Sequence, residues 1–354
     1  MNVRSATTYG TGRPAGRHRV RSRRWAGMMV PLLAVATVAS AVTAGGMSSA
    51  AASSPSDAVI VGGDPQGVAV DPDGKHVYVT NYADNTVTGI DTATHKVTGK
   101  ISVGGGPRGL AVAPDSQHTF VTNYAENSVS VIDAAGGRVN HSVAVGKNPA
   151  SVAVSTRDPY AFVTNFYDNT LSVIDIKAFK VIDTLAVGGH PDGVAVDPKG
   201  QYAYVVNTGS NTVSVIDIRA QQVVRSILVG RAPQKVAVDR DNKHVYVTNF
   251  GDNMVSVIDL VSGLGVELAT SALKVNNNIP VGNNPRGLAV TPDSRRAFVV
   301  NVGDDTMTVV DTASGKVIGT VVVGYSPDEV AAGPDGRAYV TGRGDSSVTI
   351  VDPS

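Results

Sequence analysis

From residue 57 onward the chain is a series of short apolar runs separated by polar breaks that contain glycine, proline, Asn or Asp. Runs such as GVAVD (67–71), HVYVT (76–80) and TVTGID (86–91) are rich in Val, Ile, Thr and Tyr, the composition of strands. The DPDG break between the first two supplies the fixed and the positive φ that a tight hairpin needs. The NYADN break after the second run offers Asn and Asp, which tolerate left-handed turn geometry. A fourth run, KVTGKISVG (96–104), completes the unit. Alternation of apolar and polar positions is weak, as in VSVID, so both faces of these strands are expected to be buried. No sustained helical period occurs after the first 44 residues.

The unit then repeats. YVTNYADNTVTGID (78–91) returns as FVTNYAENSVSVID from Phe120, FVTNFYDNTLSVID from Phe162, YVVNTGSNTVSVID from Tyr204 and YVTNFGDNMVSVID from Tyr246. The proline of each G-x-x-P falls at Pro65, Pro107, Pro149, Pro191, Pro233, Pro285 and Pro327, 42 residues apart except for one spacing of 52. Seven units of four antiparallel strands predict an all-β fold, a seven-bladed β-propeller in one domain over residues 57–354. The last unit ends at its third strand, SVTIVDPS, whereas DAVIVGG (57–63) matches the fourth strand DTLAVGG at Asp183. The N-terminal strand is therefore expected to complete the last blade and close the ring, which removes open sheet edges and favours a monomer. The ten extra residues fall within 260–279, between the third and fourth strands of unit five.

The YVTN phrase, with G-x-x-P-x-x-VAV-x-PDG before it and NTVSVID after it, resembles the YVTN-type β-propeller repeat family over residues 57–354. The last unit departs from the pattern, reading YVTGRGDSS with Gly342 in place of the Asn. The resemblance implies an exported seven-bladed propeller. It leaves the chemistry open, since propellers of this kind host binding, scaffolding, lactone hydrolysis and lyase activities.

Basic charge is concentrated at the N-terminus. The first 56 residues carry seven arginines and no Lys, Asp or Glu; removing them leaves 23 basic against 30 acidic residues, a balance of −7. An acidic body disfavours nucleic acid as a partner. The arginine-rich lead, the apolar run WAGMMVPLLAVATVASAVTA and its small-residue finish predict an export signal over 1–44, followed by a flexible linker over 45–56. The paired Arg23 and Arg24 resemble a twin-arginine signal, so general and twin-arginine secretion are both open, with an uncleaved anchor as the rival to cleavage. Cleavage leaves no membrane span and no tryptophan, because the single tryptophan is Trp25. The absence of cysteine excludes disulfides, thiolate nucleophiles and Cys-ligated zinc.

Candidate chemistry lies where the units differ. The residues after each proline, Gln66, Arg108, Ala150, Asp192, Gln234, Arg286 and Asp328, are expected to ring the mouth of the central channel. Lys235 and Glu329 stand at the next positions. Tyr82, Tyr124, Phe166 and Phe250 follow the Thr-Asn pair, with Tyr167 and Tyr325 on the same face; together they offer an aromatic wall for a small molecule or peptide. Thr-Asn itself recurs in most blades, as does the terminal Asp of VID, which marks both as architecture, the Asn amide serving loop backbone groups and the Asp forming a turn. The six histidines beyond His18 are spread around the ring, with only His190 near the mouth. The reading is a non-catalytic binding or scaffold module with no cofactor. The alternative is a lactonase-like hydrolase or a lyase in which Asp192, Asp328 and Glu329 hold calcium or magnesium.

Overall fold

The computed structural model describes residues 57–134, 136–260 and 273–352. The export signal, the linker and most of the 260–279 insertion lie outside the described residues. Twenty-eight strands, numbered β1–β28 in chain order, form seven four-stranded antiparallel sheets among the described residues. Blade 1 runs outward from the axis as β2 (Pro65–Val70), β3 (His76–Asn81), β4 (Thr86–Asp91) and β5 (Lys96–Ser102). Blades 2 to 6 repeat this order. Their innermost strands begin at Pro107, Pro149, Pro191, Pro233 and Pro285.

Blade 7 is closed by the N-terminal strand. Its order is β1 (Asp57–Ile60), β28 (Ser347–Val351), β27 (Ala338–Gly342) and β26 (Pro327–Ala332). Val59 pairs with Val348, and the Val61 N–H donates to the Ser346 carbonyl at 2.9 Å. The innermost strands stand side by side around the axis, with β26 next to β2.

The middle strands are buried along nearly their whole length and the outermost are exposed, which explains the missing alternation. The core is divided among the blade interfaces. Seven apolar clusters each join two neighbours, as where Phe162, Leu171 and Val173 of blade 3 meet Val194, Ala203 and Ile216 of blade 4. The closing strand belongs to one of them, since Val59 and Val61 pack with Tyr339, Val68 and Val79.

The repeated Thr-Asn divides its work. Thr80 Oγ1 accepts from the Gly67 N–H at 2.8 Å and donates to the Arg108 carbonyl of blade 2 at 2.7 Å. Thr122, Thr164, Thr248 and Thr341 repeat this staple, the last reaching the Gln66 carbonyl of blade 1. Blades 4 and 6 carry Val206 and Val300 there instead. The Asn was expected to serve loop backbone groups. In blade 1 it does, the Asn81 oxygen accepting the Gly62 N–H at 2.9 Å, but in every blade that has the Asn its amide N–H donates to hydroxyls of its own third strand, as Asn165 does to Thr170 and Ser172 at 3.0 and 2.9 Å.

Turn shaping falls to the second Asn of the phrase. Asn85, Asn127, Asn169, Asn211 and Asn253 are left-handed. Each carboxamide oxygen accepts the backbone N–H of the residue before the next proline, at 2.8–2.9 Å. The terminal Asp of VID shapes the opposite-face turn as expected, with Asp91 accepting from the Thr94 N–H and hydroxyl.

Candidate functional site

In every blade the ladder between the two innermost strands slips just after the proline. Pro65 pairs with Asn81 but Val68 with Val79, so Gln66 and Gly67 have no ladder partner. The same slip recurs in the other six blades. A bulge frees side chains from the strand's alternation and re-aims them, here into the channel. The preceding residue is left-handed in all seven units, with φ from 46° at Ala232 to 61° at Gly106. The Asn clasp described above holds this conformation before five of the prolines, and Asp305 Oδ1 does the same for the Ser326 N–H at 2.8 Å.

The two bulged positions line two spaces. Gln66, Arg108, Asp192, Gln234 and Arg286 line a cavity of about 450 Å³ at the mouth, together with Tyr82, Tyr124, Phe166 and Tyr167. Lys235 and Glu329 were expected at the same rim. They line a separate space of about 180 Å³ one step further along the inner strands. Most blades carry glycine at that second position, because a Cβ at Gly109, Gly193 or Gly287 would come within 2.8 Å of the neighbouring strand's carbonyl. Lys235 and Glu329 break that rule on blades 5 and 7 and meet across the axis, Nζ to Oε2, at 2.8 Å.

Opposite charges at the mouth are paired between blades. Arg108 Nη2 reaches Asp192 Oδ2 at 2.8 Å, passing over blade 3 where the ring residue is the small, buried Ala150. Arg286 Nη1 contacts Asp328 Oδ1. Asp192 is 1% exposed. Burial alone would raise its carboxyl, but Arg108, Lys235 and Arg286 outweigh it and hold the group below the ordinary carboxylate range. Burial likewise opposes the Arg108 charge, and Asp192 and Asp328 outweigh it and push its pKa up.

Two charged residues at the mouth escaped the sequence reading. Arg343 stands where the other units carry Tyr82, Tyr124, Phe166, Thr208, Phe250 and Val302. Its Nε donates to Asp64 Oδ1 at 2.6 Å, and both residues line the cavity. The signal was present in the departure of the last unit, YVTGRGDSS, which puts a cation at the aromatic position. Asp64 occupies the left-handed position before Pro65. The pair ties blade 7 to the start of blade 1.

Tyr82, Tyr124, Phe166 and Tyr167 gather on the side of blades 1 to 3. Phe166 stacks on His190 with ring centroids 4.9 Å apart, and Tyr167 meets Phe166 edge-on at 5.1 Å. The Arg108 guanidinium lies over the Tyr124 ring, 5.6 Å from its centroid. Phe250 does not line this cavity, a correction to the expected wall. Tyr325 is outside it too, exposed and laid against Gly344. On blade 4 the aromatic position is Thr208, whose hydroxyl donates to the Pro233 carbonyl at 2.6 Å.

The carboxylates expected to share a divalent ion are not brought together as a ligand set. Asp192, Asp328 and Glu329 each face a different cation, Arg108, Arg286 and Lys235. Among the described residues, the one cluster with metal-ligand spacing is Asp71, Asp73 and His76, at the hairpin on the opposite face. The six repeated Asn side chains are buried with their amide N–H groups committed to their own blades, while the Asn81 oxygen accepts the Gly62 N–H and the oxygens of Asn123, Asn165, Asn207, Asn249 and Asn301 have no hydrogen-bond partner.

Comparison with known proteins agrees with this architecture. A family model described as "YNCE-like beta-propeller" matches residues 30–160, 110–201 and 153–240, more than half of the chain in all. No curated protein sequence matches significantly. Among solved structures, hydrazine synthase of Kuenenia stuttgartiensis superposes with a TM-score of 0.74 at 23% identity, covering 82% of this chain and 96% of that one. The Cps50 (Swd1) β-propeller domain of Myceliophteria thermophila gives 0.75 at 12% identity, covering 84% and 100%. A functionally unknown protein from Desulfotomaculum acetoxidans DSM 771 gives 0.66 at 17%, covering 76% and 88%. At these identities the likeness is one of fold, and the neighbours differ among themselves in function.

Proposed function

We propose, from the premise that this chain belongs to the YNCE-like β-propeller family, that it is a binding module taking a small ligand at the mouth of its central channel. One observation carries the reading. A cavity of about 450 Å³ is lined by residues that differ from blade to blade, on a frame that is otherwise repeated seven times. That volume lies within the roughly 300–1,000 Å³ typical of small-molecule sites. A metal-dependent hydrolase is less favoured, because the carboxylates it would use are engaged with arginine and lysine.

The test is saturation-transfer NMR on the full chain against sugars, amino acids, small carboxylates and short peptides. At least one class is expected to bind, and Tyr167→Ala is expected to weaken that binding. A panel with no binder, or a binder indifferent to both Tyr167→Ala and Arg286→Ala, overturns the reading.

The arginine-rich lead and small-residue finish support export, and closure of the ring by β1 supports a monomer. N-terminal sequencing of the secreted product is expected to start close to residue 42 or 45, with no tryptophan emission because Trp25 is lost. Emission from purified secreted protein would contradict this.

A further inference from the structure

We propose that the ligand held at the mouth is a neutral polyhydroxylated molecule, a saccharide. It lies with one ring face on the aromatic wall of blades 1 to 3 and its hydroxyls bond to Asp192 and Arg286. This rests on the small-ligand reading above and names the chemical class that the site selects.

The first argument is charge balance. The first bulged position reads Gln66, Arg108, Ala150, Asp192 and then Gln234, Arg286, Asp328, a Gln–Arg–Asp series written twice around the ring. With Lys235–Glu329 and Arg343–Asp64 added, four cations meet four carboxylates, each within a pair. Two of these carboxylates, Asp192 and Asp328, are almost fully buried. A ligand with net charge would leave that charge uncompensated or pull a buried pair apart, and either is costly. A neutral ligand disturbs no pair.

The second argument is the valences left open. Two of the buried side-chain atoms without a hydrogen bond belong to residues that line the cavity; one is Asp192 Oδ1, which Lys235 Nζ approaches only to 4.0 Å. The other is Arg286 Nε, two blades on in the cavity lining, buried without an acceptor. One atom calls for a donor and the other for an acceptor. A hydroxyl is both, and a polyol presents several at once. Gln234, half-buried on blade 5 between them, adds an amide that can donate and accept.

The third argument is the wall opposite. Phe166, held between His190 and Tyr167, with Tyr124 under Arg108, makes a fixed platform with apolar faces and polar rims. The C–H face of a pyranose ring has that shape and polarity, while its hydroxyls point outward to the charged ring.

The test uses the full chain with maltose, cellobiose, lactose and N,N′-diacetylchitobiose, set against glucuronate, glucosamine, benzoate and phenylalanine. Saturation-transfer NMR and calorimetry give binding. At least one neutral disaccharide is expected to bind, with glucuronate and glucosamine about tenfold weaker or worse. Tyr167→Ala is expected to weaken saccharide binding about tenfold and Gln234→Ala about fivefold, with unchanged thermal midpoints, since both side chains are at least half exposed or free of internal bonds. If benzoate or phenylalanine binds at Tyr167 and no saccharide does, the saccharide proposal falls and the small-ligand reading stands. Saccharide binding that both variants leave unchanged also overturns it. If nothing in either panel binds, both readings fall.

Discussion

The repeated Thr-Asn positions and the blade-specific ring residues are neighbours in chain and space, both polar and mostly buried, yet they are satisfied in opposite ways. Asn165 finds its donors' partners five and seven residues further on, and Thr164 reaches the adjoining blade. Such local bonds can be written identically in each unit. Arg108 instead finds Asp192 two blades away, and Lys235 meets Glu329 across the axis. A partnership of that kind exists once, needs unlike residues at equivalent positions and leaves Asp192 Oδ1 and Arg286 Nε open. The frame also leaves the Oδ1 atoms of Asn123, Asn165, Asn207, Asn249 and Asn301 without a partner, but only the ring's open atoms belong to residues that line the mouth cavity, which is why binding is assigned to the ring.

Deleting residues 57–63 should have the largest effect. It removes β1 with Val59 and Val61, whose burial is worth about 3–6 kcal/mol, and opens the ring. A cooperative transition with an unchanged midpoint would refute closure. Arg108→Ala comes next, since it strands the Asp192 carboxylate and should cost roughly 3–5 kcal/mol. The double change Arg108→Met with Asp192→Leu should be milder than the single one, and a worse double would mean that the pair is not the unit of stability.

The same pair sets a pH dependence. The folded-state pKa of Asp192 lies below its ordinary value of 3.8, so its stabilisation is complete above that value and is lost as pH falls through the depressed one. The wild-type midpoint should drop below about pH 4, and Asp192→Asn should remove part of that drop. Asn165→Ala tests the frame. It leaves the Thr170 and Ser172 hydroxyls without their donor and should cost about 1–3 kcal/mol while ligand binding is retained. The smallest effect is a gain. Val206→Thr would place a hydroxyl where five other blades have their staple and should add about 0.5–1.5 kcal/mol in chemical denaturation.

Much of this was legible beforehand because the repeats align equivalent positions. The proline spacing located every innermost strand, and the DAVIVGG match located the closing one. The Asn role was read only in part, since its N–H bonds to the third strand were also in plain view: Thr or Ser stands five and seven residues after the leading Asn in NYADNTVT and NFYDNTLS. Arg343 and Asp64 were missed because each sits at a position that other units fill with an aromatic or a turn residue. Phe250 was included for the converse reason: it holds an aromatic position but does not reach the cavity.

The sequence alone determined the blade, its sevenfold count and the closure, because those depend on strand propensity, turn chemistry and contacts that recur at fixed separation. Only the tertiary structure decided which charges meet. Arg108 and Asp192 are 84 residues apart, and nothing local chooses between Asp192 and Asp328 as its partner. That choice follows from the circle, where a small Ala150 lets one side chain cross a blade and the missing glycines at Lys235 and Glu329 admit another pair into the channel.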